Sequence, residues 1–198
     1  MPAALLWGLA VFCFVSSITP GPNNLMLMAS GVNFGVRRTV PHALGVGIGF
    51  VVMVAVVGLG LAGVFAHYPA LLVAMKWVGA AYMVWLAAKL ARAAPLTSGA
   101  AAGMPMTFLQ AAAFQWLNPK AWIMALTAVA TYTDPADYTR TVLVVALVFG
   151  IVNLPCISTW ALFGTAMRGA LGRPATLRAF NWIMAALLVA SLYPVFTE

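Results

Sequence analysis

SITPGPNNLML (Ser17–Leu27) interrupts an apolar run that extends from Pro2 to about Val32. Proline removes a helix donor and its ring clashes with the preceding turn. Glycine loosens the backbone, and two amides in hydrocarbon need partners. Pro20, Gly21, Pro22, Asn23 and Asn24 are each unfavourable inside a membrane helix, and here they are consecutive. Together they predict a break on which something depends.

Composition shows why this break bears on the fold. Of 198 residues, 64% are hydrophobic and 7% charged, where a soluble domain has about 25% charged residues. Such a chain cannot cover a water-facing surface. Its apolar stretches are continuous rather than alternating, so an all-α integral membrane protein is expected and not a barrel. Apolar runs of about 20 residues fall at 3–32, 42–65, 70–92, 107–131, 139–165 and 177–196. These are six expected transmembrane helices. The first is too long for a straight crossing: thirty residues at ~1.5 Å each reach roughly 45 Å, against a hydrocarbon core of about 30 Å. A bend at the proline pair absorbs the excess.

The net charge of +7 comes from ten Lys and Arg against Asp134, Asp137 and Glu198. The basic residues lie at the ends of apolar runs rather than on a soluble face, so nucleic acid is not an expected partner. Arg37 and Arg38 follow the first run, Lys89 and Arg92 end the third, and Arg168, Arg173 and Arg178 separate the fifth from the sixth. The opposite loops hold His67, Asp134, Asp137 and Arg140. Positive residues prefer the cytoplasm, which places loops one, three and five inside and both termini outside. The N-terminus has neither the basic region nor the cleavage site of a signal peptide, so cleavage is not expected. Lys76, near the start of the third run, is expected to snorkel. Lys120 lies midway along the fourth, where a lysine costs roughly 2.5–3.5 kcal/mol.

The two halves carry the same punctuation. TPGPNNLMLMASGV (19–32) and NPKAWIMALTAVAT (118–131) share an early proline at an offset of 99. KWVGAAYMVWLAA (76–88) and NWIMAALLVASLY (181–193) share a Trp, an Ala-Ala and a Val at an offset of 105. Residues 1–93 therefore read as a first three-helix repeat, 94–106 as a flexible loop, and 107–198 as a second repeat. Three crossings is an odd number, so the second repeat enters the membrane inverted, with helices 1 and 4 interrupted. This is the sequence pattern of a secondary transporter, whose site lies at the repeat interface. Half-helix N-termini there present free N–H groups suited to a carboxylate. The competing reading is a pair of ordinary proline kinks whose freed groups are satisfied by neighbours.

The site residues expected to bind substrate lie at the breaks. Asn23 and Asn24 follow Pro22, and their amides can bind an ammonium or a carboxylate. Gln115, Asn118, Pro119 and Lys120 form the matching cluster in the second half. Lys120 can pair with a substrate carboxylate, exchange a proton, or serve as a structural ammonium held by carbonyls that the prolines free. Asn153, close to Pro155, marks a further irregularity, with a kink and a packing hydrogen bond as its plain alternative. Gly45 and Gly49 have the spacing of close helix packing. Trp77, Tyr82 and Trp85 read as belt or packing aromatics, and His42 lies at a membrane boundary. Cys13 and Cys156 have no CxxC or metal spacing and read as buried thiols. Catalytic residues, metal and cofactor are all absent from the expectation.

TPGPNN with the basic NFGVRRT, the glycine-rich GVGIGF, WVGAAYMVWLAAKLA and NPKAW together resemble the LysE/RhtB family of bacterial amino-acid exporters. The resemblance spans nearly the whole chain and is closest to the branch that exports cysteine and O-acetylserine. It implies efflux of an amino acid or derivative across the inner membrane in exchange for protons. Carried over by motif, it implies site roles for Pro20, Gly21, Pro22, Asn23, Asn24, Asn118, Pro119 and Lys120. Many members carry an Asp after the last glycine of the second span, where this chain has Phe50. No Asp or Glu lies within an expected span. That disfavours a cationic substrate, which would want a buried counter-charge.

The expected function is a secondary exporter of small neutral amino acids such as cysteine, O-acetylserine, threonine or homoserine. The expected partners are that substrate, the lipid bilayer and protons, with self-association into a homo-oligomer left open. The alternative is a membrane thiol–disulfide electron carrier using Cys13 and Cys156. Repeat-related redox cysteines should lie about one repeat apart, whereas these are separated by 143 positions. The orientation has a direct check. In intact cells an impermeant thiol reagent should label Asp134→Cys and miss Ser98→Cys; the opposite pattern would invert the topology.

Overall fold

The computed structural model describes residues 1–61, 63, 67–93, 104–193 and 196, and every regular element in it is helical. The expected linker, apart from its end at 104–106, lies outside the described residues, as do 62, 64–66, 194–195 and 197–198.

The first expected span forms two arms. α1 (Ala3–Ile18) and α2 (Pro22–Phe34) meet at a bend of 53°. Thr19 (φ −64°, ψ 145°) and Gly21 (φ −176°, ψ 176°) are extended, and Pro22 takes the first helical position of α2. Proline suits that position because its missing N–H would have had no partner in the helix. α3 (Val36–Val56) starts from Gly35, whose φ of 80° lies in the left-handed region that favours glycine. It begins six residues before the expected run and takes in Arg37, Arg38 and Pro41, then continues as a π-helical turn to Leu61. α4 (Pro69–Ala91) follows.

The fourth expected span is also broken. α5 (Phe108–Phe114) tightens into a 3-10 turn at Gln115–Leu117, Asn118 is extended (φ −95°, ψ 107°), and α6 (Pro119–Tyr132) again begins on a proline. α7 (Tyr138–Met167) and α8 (Pro174–Ala190) complete the chain. Among the described residues, three helical stretches are long and apolar enough to cross a membrane: Val36–Leu61, Val73–Ala91 and Pro135–Met167. The bent α1–α2 pair makes a fourth. Of the other two expected crossings, α8 is apolar but only 17 residues long, and the broken α5–α6 does not qualify as a span.

α2 is the central helix, with every residue from Asn24 to Asn33 buried. It packs on α7, α1 also packs on α7, α3 packs on α5 and α7, and α4 packs on α8. Glycines set the closest approaches. A Cβ on Gly31 would strike the carbonyl oxygen of Ala161, and one on Gly164 would strike that of Met28. Gly45 and Gly49 press on Phe108 and Ala112 of α5, as their spacing predicts.

The helices share two ends. A Cβ on Gly35 would lie 2.7 Å from Arg168 Nη1, and Phe34, Lys89 and Arg92 line one cavity, so the basic loops gather at one end. At the other end the Tyr132 hydroxyl donates to Gly8 O (3.3 Å) and the Lys76 ammonium lies 5.0 Å from the Phe196 ring centre.

The glycine crossing makes a prediction. Gly31→Val should destabilise the protein by about 1–3 kcal/mol through overpacking, read as a lower unfolding temperature in detergent. Gly169→Ala, where nothing lies within 4 Å, should leave it unchanged.

Candidate functional site

The two breaks meet. The extended segment between α1 and α2 leaves carbonyls with no helical partner, and side chains from three places take them up. Lys120, on the first turn of α6, directs its Nζ to Thr19 O (2.9 Å), Thr19 Oγ1 (2.9 Å) and Pro20 O (3.2 Å). Asn24 Nδ2 donates back to Ser17 O (2.9 Å) and Thr19 O (2.8 Å). Trp160 Nε1 on α7 donates to Ile18 O (3.1 Å). A helix C-terminus carries partial negative charge, so the ammonium also sits at the favourable end of α1.

The amides form a second set of contacts. Asn23 Nδ2 donates to Gln115 Oε1 (2.8 Å) and Gln115 Nε2 donates to Asn23 Oδ1 (3.2 Å), a reciprocal pair across the halves. Gln115, fully buried, also donates to Ala111 O (2.8 Å). Asn118 caps α6 by accepting from the Lys120 N–H at 3.2 Å. Asn153 Nδ2 on α7 donates to Ser17 Oγ (3.0 Å), and its buried Oδ1 has no partner among the described residues.

These groups surround one cavity. Gly21, Pro22, Asn23, Asn24, Asn118, Lys120 and Asn153 all line it. Pro20 contributes its carbonyl to Lys120, Gln115 reaches the cavity through Asn23, and Pro119 starts α6. The sequence-derived residues are thus brought together. The cavity measures only about 30 Å³, room for about two waters. Phe50 forms part of its wall, packed edge-on against Phe149 with ring centres 5.0 Å apart, so that wall is apolar. Ser17, Thr19 and Trp160 were not picked out from sequence. Ser17 and Thr19 had a legible signal, since they flank the prolines; Trp160 lies 142 positions from its acceptor and gave none. Cys13 and Cys156 are buried free thiols. Among the described residues no group of His, Cys, Asp or Glu is disposed to hold a metal.

Paired broken helices with their polar groups turned on a shared cavity define a membrane protein of the transport class. The LysE type translocator family model matches residues 14–191, and the chain belongs to that family. It is similar to the cysteine/O-acetylserine efflux protein of Klebsiella pneumoniae, 27% identical over 190 residues, covering 96% of this chain and 95% of that protein. It is also 29% identical to the protein of that name from Salmonella choleraesuis, over 99% of this chain and all of the other. With the Escherichia coli K12 protein of the same name it shares 28% identity over the same extent. No solved structure matches the chain.

The capping pattern can be tested by substitution. Asn24→Leu leaves Ser17 O without the amide donor and Thr19 O with Lys120 alone, a loss of about 1–3 kcal/mol for the buried Ser17 acceptor. Asn24→Asp cannot donate when ionised and should not rescue. Unfolding temperatures close to wild type in both would contradict the capping role.

Proposed function

We propose that the chain is a secondary exporter of small neutral amino acids or derivatives, of the cysteine, O-acetylserine, threonine or homoserine type, in the bacterial cytoplasmic membrane. The observation that carries this reading is the convergence of both breaks on one cavity holding a cation, Lys120, and an unpartnered acceptor, Asn153 Oδ1. A zwitterion complements that pair: its carboxylate goes to Lys120 and its ammonium to Asn153, with Asn23, Asn24 and Asn118 alongside. The apolar Phe50 wall and the absence of an acidic lining residue among the described residues favour a neutral substrate over a cationic one.

The six crossings form two inverted repeats in this reading. The packing supports it. Exchanging the halves converts the contact of the first span with α7 into that of α5 with α3, and leaves the α3–α7 and α4–α8 contacts unchanged. The cavity is too small for an amino acid as it stands, so transport requires the halves to separate around it. Lys120 then trades backbone carbonyls for the substrate carboxylate. By the positive-inside rule the basic end faces the cytoplasm and the termini face outward. Exchange for a proton is the coupling that the family resemblance implies, and we assign no side chain to it.

Uptake of labelled cysteine, O-acetylserine, threonine and homoserine into inverted vesicles, with and without a pH gradient, tests the proposal. At least one should accumulate. Lys120→Met should lower its transport more than about tenfold, the scale of losing one hydrogen bond to a charged group. Absence of transport for all four, with no effect of Lys120→Met on any flux, would refute it.

A further inference from the structure

The break cavity is small, and a far larger one lies further along α2. This second cavity measures about 440 Å³, within the range of about 300–1,000 Å³ that holds small ligands. It lies at the basic end, between α2, α3, α4, α8 and residues 104–106.

Its polar inventory is uneven. Ser30 and Asn33 line it but already have partners: Ser30 Oγ lies 2.8 Å from Thr39 Oγ1, and Asn33 exchanges hydrogen bonds with Asn181 (2.9 and 3.3 Å). His42 lines it as well, is only 2% exposed, and among the described residues neither ring nitrogen has a partner. A buried imidazole with two unmet nitrogens is expensive unless something occupies the space beside it. Lys89 and Arg92 line the same cavity from the end of α4.

Position gives the cavity its meaning. Asn23, Met26, Ser30 and Asn33 follow one another at intervals of three and four residues along α2, so they share one face. Asn23 belongs to the break cavity, and the other three belong to the large one. One turn of α2 separates the two, and at that level Met26 packs in an apolar cluster with Leu86 and Leu188.

We propose that the large cavity is an entry site, which holds a small amino-acid zwitterion on its way to the breaks. Its carboxylate meets the Lys89 and Arg92 rim, its ammonium or side-chain polar group meets His42, and Met26 with Leu86 and Leu188 separates it from the break cavity. A neutral imidazole offers one donor and one acceptor, so it serves a substrate that brings both. This proposal rests on the exporter reading and adds to it a second binding position and a direction of approach.

Two measurements on the full chain in inverted vesicles test it, with the same four labelled amino acids. First, Ser30→Cys and, separately, Ala88→Cys are placed in a Cys13→Ser, Cys156→Ser background and treated with a water-soluble maleimide. Both should react, and an amino acid that the wild type carries should slow both reactions several-fold. Second, His42→Phe should raise the transport KM about tenfold, and His42→Gln, which keeps a donor and an acceptor, should restore most of it. Normal wild-type transport with unprotected cysteines overturns the entry site and leaves the exporter reading intact. So does a His42→Phe protein of wild-type unfolding temperature and unchanged KM. No transport by the wild type overturns both.

Discussion

The contact between Lys120 and the carbonyls of Thr19 and Pro20 joins two liabilities, one from each half of the chain. A lysine at the centre of a membrane helix costs about 2.5–3.5 kcal/mol. Carbonyls released by a broken helix in a bilayer cost several kcal/mol each when unpaired. Placed 2.9 to 3.2 Å apart, they offset each other. Because the lysine starts α6 and the carbonyls end α1, satisfying both also fixes the relative position of the two halves. The Asn23–Gln115 amide pair holds the same junction from the other side of the break.

The remaining architecture follows from having α2 at the centre. A helix buried on all faces is normally apolar throughout, yet α2 contains Asn24, Ser30 and Asn33 in its buried stretch. Each has a partner on a different element: the end of α1, Thr39 at the start of α3, and Asn181 on α8. Gly31 lets α7 approach within backbone contact on a further side. The polar residues of α2 therefore specify its neighbours, while small residues set the distances. Polar contacts between membrane helices are individually modest, about 0.6 kcal/mol on average. Their value here is in selecting one arrangement from many of similar apolar area.

Much of this was legible in the sequence because the informative residues violate strong rules. Prolines at 20, 22 and 119 gave both breaks to within a residue or two, since proline excludes the helix interior. Asn23, Asn24, Gln115, Asn118, Lys120 and Asn153 were identifiable because amides and ammonium groups in apolar runs require partners. What they bind to was not legible. The Lys120 acceptors are backbone atoms, which leave no mark in a side-chain pattern, and the Asn23–Gln115 pairing spans 92 positions. The role of Lys120 as a holder of freed carbonyls, one of the readings open from sequence, is the contact present in this structure. The cavity around His42 was missed for a similar reason. A lone histidine near a membrane boundary resembles many others until its missing hydrogen bonds and the space beside it are seen together.

The separation of 101 positions between Lys120 and its acceptor has a consequence for synthesis. Ribosomes add about 5–20 residues per second, so synthesis of the break precedes that of Lys120 by on the order of 5–20 seconds. During that interval the break can draw only on local help. Asn24 supplies it: its acceptors, Ser17 O and Thr19 O, lie seven and five positions away and emerge in the same stretch of nascent chain. Of the two donors to the Thr19 carbonyl, the amide is therefore synthesised with the break and the lysine well after it. One site thus carries both a short-range and a long-range donor to the same Thr19 carbonyl.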